Sequence, residues 1–207
     1  MLKSQEIING LQAIVDDYVV FAIVWHLLFY GLIGALFAKW KPSNKLIALL
    51  LCLPLASVSL FALLAGNPFN GTVFAILVIL IMVSARKIIN QPIKYAHWPF
   101  IVTGVFMILF GLVYPHFISA GNLITYFYAS PVGLIPCPTL SVIIGFVLLI
   151  NGLGSNTIVA ILTIAGLFYG VFGVFKLGVY LDLFLVFGSL SLFAKYIIAL
   201  FTRHQAG

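Results

Sequence analysis

The first seventeen residues carry apolar side chains on a helical period. Ile7, Ile8, Leu11 and Ile14 share a stripe, while Lys3, Glu6 and Asp16 lie off it. That pattern predicts an amphipathic helix lying at a membrane surface. From Tyr18 the pattern changes to long apolar runs divided by short polar or Pro/Gly-rich breaks. The first run covers about Tyr18–Phe37 and stops at KWKPSNK, and the second covers about Leu46–Leu64 and stops at AGNPFNGT. Such clusters of Gly, Asn and Pro are turn signals. A third run, Gly71–Ser84, ends at Arg86-Lys87, and a fourth begins at Trp98-Pro99 and closes at Tyr114-Pro115-His116. After a broken stretch through Gly121, Asn122, Ser130, Pro131 and Gly133, a fifth runs from Pro138 to Ile150. The sixth covers Thr157–Phe175 and the seventh Val179–Phe201. No internal repeat divides the chain. The expectation is one integral membrane domain over 1–207: an all-α, polytopic transmembrane helix bundle of about seven spans over 18–201, preceded by an interfacial helix over 1–17.

Two runs are short. At about 1.5 Å per residue, helices over 100–114 and 138–150 reach only about 22 and 20 Å, against a hydrocarbon core of about 30 Å. Either the helix ends continue past these bounds, or the connection over 115–137 dips below the membrane surface, where irregular backbone survives only if protein buries it or it lines a cavity.

Composition fits the pattern. The 207 residues are 64% apolar and 7% charged, with a mean hydropathy of +1.25. A soluble domain carries about 25% charged residues. The net charge of +6 comes from single basic residues in the breaks, so no nucleic-acid partner is expected. With seven spans, Lys39, Lys41, Lys45, Arg86, Lys87, Lys94, Lys195 and Arg203 fall on one side, and Lys3 and Lys176 on the other. Cytoplasmic loops carry the excess of Lys and Arg. This bias places the N-terminus outside and the C-terminus in the cytoplasm, in the inner (plasma) membrane. The start of the chain lacks the basic, apolar and small-residue order of a signal peptide, so the first span is expected to be retained.

The candidate chemistry then falls toward the outer side. VGLIPCPTLS sets Cys137 between Pro136 and Pro138. Pro138 suits the first position of a helix, whose missing N–H has no partner there. Cys137 is then expected at the N-cap, with Thr139 and Ser141 just inside, and Pro136 pushes Ile135 into an extended conformation. A helix N-terminus lowers the pKa of a thiol that solvent reaches; the plainer role for Cys137 is a small apolar residue filling space. His116 stands at the end of the other short helix as a ligand, a proton carrier or a partner for a loop carbonyl. His26 lies well inside the first span, and ionisable residues at such depth face the bundle interior. His26, His116, Cys137 and Thr139 are the binding candidates. Lys176 and Asp182 stand across the KLGVYLD turn at pairing distance along the chain, Asn70-Gly-Thr72 is a weak sequon match, and Asp182 is the only acid after residue 17. Phosphate loops, HExxH, CxxC, GxSxG and dinucleotide fingerprints are missing, so no catalytic residue and no cofactor is expected.

Gly133–Leu149, GLIPCPTLSVIIGFVLL, with the nearby Tyr114-Pro115, resembles an uncharacterised family of small bacterial multi-pass membrane proteins, defined as a domain of unknown function with a Pro-Cys-Pro-Thr signature. Leu140 stands where that family often has a second Thr. The resemblance implies an integral bacterial membrane protein and supplies no activity. Three readings follow. The first is binding or transport of a small solute or ion through an outward cavity near 115–138 that includes His26. The second is a membrane-embedded redox or metal-handling protein using Cys137 with His116. The third is an accessory subunit packed in the bilayer against a partner subunit or a second copy.

Overall fold

The computed structural model describes residues 4–38, 40–117 and 123–205, with the side chains of 203–205 left aside. Among these residues the protein is all-helical, without a strand. Helix α1 spans Ser4–Asp17, α2 Val19–Phe37, α3 Asn44–Leu64, α4 Pro68–Arg86 and α5 Trp98–Leu112. A short α6, Tyr126–Ala129, precedes α7, Pro136–Leu149; α8 covers Asn156–Phe172 and α9 Leu183–Gln205. Among the described residues, five helical segments are long and apolar enough to cross a membrane: Val19–Phe37, Asn44–Leu64, Pro68–Arg86, Asn156–Leu177 and Tyr180–Thr202. Helices α5 and α7 are apolar and shorter. The protein is therefore a helical, multi-pass membrane protein.

Local sequence sets the helix starts. Ser43 caps α3 by accepting from the Leu46 amide at 3.2 Å, and Ser155 caps α8 through Ile158 N at 3.3 Å. These side chains satisfy amides that have no partner within the helix. Helix α4 begins three residues before the expected Gly71, because Asn67 caps it and Pro68 takes its first position. Residues that signal a turn also start the next helix.

Helix α7 is the centre of the molecule. Every residue from Pro138 to Leu148 is buried, so protein surrounds this helix. Its closest neighbour is α5, and glycines set the distance. A Cβ on Gly104 would lie 2.7 Å from the Gly145 carbonyl oxygen, and one on Gly145 2.6 Å from the Gly104 oxygen. Neither helix tolerates a side chain at this crossing. Helices α3 and α4 form one antiparallel pair and α8 and α9 another around this core. A helix of 14 residues is about 21 Å long at 1.5 Å per residue. Being short, α7 leaves room at its N-terminal end.

That end is closed by α1. Leu11, Ile14 and Val15 are buried there together with Ala22, Phe61, Leu134 and Ile135. The apolar stripe of α1 thus meets protein. Two polar bonds hold the helix in place: Ser4 Oγ donates to the Lys176 carbonyl at 2.7 Å, and Gln12 Nε2 to the Phe117 carbonyl at 2.9 Å.

Candidate functional site

Helix α7 starts at Pro136, two residues before the expected Pro138. Ile135 is its N-cap, extended at φ −126° and ψ 158°, as a residue before proline should be. Cys137 is therefore the second helical residue and not the cap. Both prolines fit, because the first four amides of a helix lack intrahelical acceptors and proline forfeits nothing there. The preceding chain, Ser130–Ile135, is irregular and buried. Thr139 pins it: its Oγ1 accepts from Gly133 N at 2.8 Å and donates to Ile135 O at 2.7 Å. The part of the expected dipping connection over 118–122 lies outside the described residues.

Between α1, the α3–α4 turn, the start of α7 and the end of α8 lies a cavity of about 650 Å³. Its walls are mostly apolar, with Ile7, Leu11, Ile14, Ile135 and Phe172 among them. Phe117 closes one side with a backbone in the left-handed region, φ 70°, a conformation costly for an aromatic residue and found where surroundings enforce it.

The polar groups gather at one place. Asp182 is 1% exposed. Its Oδ1 accepts from the Tyr114 hydroxyl at 2.7 Å and its Oδ2 from the Cys137 thiol at 3.1 Å. Nearby on the wall, Tyr169 donates its hydroxyl to Asn70 Oδ1 at 3.0 Å. The sequon's asparagine is thus buried in the first turn of α4. Asp182 takes these two partners in place of the expected Lys176, whose side chain is exposed. The end of α8 makes the approach possible. From Gly173 to Leu177 the helix widens to a π-turn, a distortion that recurs at functional sites. A Cβ on Gly173 would overlap Asp182 Oδ2, so only glycine admits the carboxylate here.

The sequence candidates separate. Cys137 lines the cavity; His26, His116 and Thr139 do not. His26 is 1% exposed and faces the bundle interior as expected. Its ring nitrogens lie 2.8 Å from the Ala22 carbonyl oxygen and 3.0 Å from that of Leu112, joining α2 to the end of α5. His116 packs edge-on against Phe117 and Tyr114, and burial lowers its pKa. Cys137 pairs with Asp182 and not with His116, and among the described residues no three His, Cys, Asp or Glu side chains gather as a metal-binding group. The two cysteines are free, with Cys52 buried in the core. The structure adds Asp182, Tyr114, Tyr169 and Asn70. Asp182 was visible as a solitary acid, whereas its partners lie 45 and 68 residues away, beyond any local spacing. No family model, no curated protein and no solved structure matches this chain.

Proposed function

We propose that this protein crosses the inner membrane seven times and binds a small solute in the cavity beneath α1. The carrying observation is an apolar cavity of about 650 Å³ with a buried carboxylate, thiol and phenol at its floor. Ligand sites take this form: about 300–1,000 Å³, apolar walls and a few convergent polar groups. The short helices α5 and α7 supply the sixth and seventh spans, and burial by neighbouring helices relieves α7 of reaching the headgroups. The cavity opens outward on this reading. Lys41, Lys87 and Lys94 lie in the connections at the opposite end of the bundle, and Lys45 and Arg86 at the adjoining ends of α3 and α4, which supports a cytoplasmic location for that end. Helix α1 lies at the outer membrane surface as the cavity's roof. Solute transport would require α7 to move, since its packed core closes the way through.

Gly10 supplies the test. It lines the cavity, and a Cβ built on it has nothing within 4 Å. Gly10→Trp should fill the cavity and leave the fold standing, because glycine is already a poor helix residue. Thermal unfolding in lipid nanodiscs is measured with a panel of small amphiphilic solutes. Solutes that stabilise the wild type and lose that effect in Gly10→Trp support the proposal. A panel without any such solute contradicts it.

A further inference from the structure

The charges around the cavity specify the head group of its ligand, an inference that rests on the binding reading above. Asp182 contributes the charge inside. Its two bonded partners, a phenol and a thiol, donate hydrogens and bring no positive charge. At the rim, Lys176 and Glu6 line the opening with opposite signs and exposed side chains, so their charges offset each other. The interior therefore presents one carboxylate on an apolar background. Taking such a charge out of water without a cation is costly, and a ligand that brings the cation removes much of that cost. A carboxylate has about four lone-pair sites, and the two bonds present leave it room for a further donor. An anionic head group would meet repulsion, and a neutral one would gain no charge-assisted bond.

We propose that the cavity binds a cationic amphiphile: a protonated amine or quaternary ammonium carried on an apolar body of small-molecule size. The head group lies against Asp182, and the body lies along the apolar face of α1. Tyr114 and Cys137 hold the carboxylate in place and Gly173 leaves it space.

Three probes with one tail separate the possibilities: decylammonium, decanol and decanoate, added to the protein in phosphatidylglycerol nanodiscs. The read-out is the concentration dependence of the thermal shift, with the shift remaining in Gly10→Trp subtracted as bilayer partitioning. Decylammonium should bind about tenfold or more tightly than decanol, the smallest margin expected of a charge-assisted bond, and decanoate most weakly. Decyltrimethylammonium matching decylammonium would show that charge suffices; weaker binding would show that N–H donation is needed. Both outcomes support a cationic ligand. In Asp182→Asn the preference over decanol should vanish while decanol binding persists. Tyr114→Phe keeps the charge and should keep the preference, and the wild-type ranking decides the matter if Asp182→Asn does not fold. Nanodiscs containing phosphatidylethanolamine should weaken decylammonium if a lipid supplies the amine, and leave it unchanged if a free amine does. Decanol or decanoate binding as tightly as decylammonium would overturn the head-group assignment alone. Three probes that do not distinguish wild type from Gly10→Trp would overturn the binding reading as well.

Discussion

His26 and Asp182 are both about 1% exposed, yet their surroundings assign them different work. Both nitrogens of His26 face carbonyl oxygens of the protein's own helices, and no part of the ring lines the cavity. Its role is to tie α2 to the last turn of α5, where carbonyls lack intrahelical donors. His26→Phe should cost about 1–3 kcal/mol, the penalty of stranding a buried acceptor, and leave ligand binding as it was. Denaturant unfolding of the purified protein, read beside the solute thermal shift, separates the two effects. Asp182 instead holds its carboxylate at the cavity wall. Gly173→Ala is the matching change there, because the new Cβ occupies the place of Oδ2. It should cost about 1–3 kcal/mol, as overpacking does, and also abolish the preference for ammonium over alcohol. Loss of stability with that preference intact would show that the carboxylate tolerates displacement. The depth of His26 was legible from its position in an apolar run. The importance of Asp182 was not, because Tyr114 and Cys137 reach it only through the fold.

At the scale of elements, the two-proline start of α7 organises the cavity. Pro136 and Pro138 occupy the first and third helical positions, so the helix begins inside the protein and an irregular, buried segment must lead into it. Thr139 holds that segment by two bonds, one of them from the buried Gly133 amide. Thr139→Val keeps the shape and removes both bonds. It should destabilise the protein by about 1–3 kcal/mol, since a buried amide is left without an acceptor, and speed hydrogen exchange at Gly133. Unchanged exchange there would show that the helix start does not depend on the hydroxyl. The apolar runs displayed nearly every helix in advance, because span length and hydropathy are local properties. Boundaries were harder. Pro138 and Pro136 are equally acceptable as a first residue, and Asn67-Pro68 reads as a turn until its side chain is seen capping α4.

At the scale of the whole molecule, a basic end and a roofed cavity stand at opposite ends of a packed central helix. The sequence pattern pointed to a cavity near 115–138 with His26, whereas the cavity beneath α1 takes Phe117, Ile135, Pro136 and Cys137 from that stretch and leaves His26 out. The pattern could not foresee α1 as the roof, since an amphipathic stripe looks the same whether lipid or protein covers it. Labelling of Cys137 tests this arrangement most directly. Sealed vesicles or intact cells are treated from outside with a small water-soluble maleimide, and modification at Cys137 and Cys52 is followed by mass spectrometry. Cys137 should be modified and Cys52 in the core spared, and Gly10→Trp should slow the reaction at Cys137. Failure to modify Cys137 in the folded protein, although it reacts after unfolding, would contradict an outward cavity, and equal rates in Gly10→Trp would contradict the place of α1 above it.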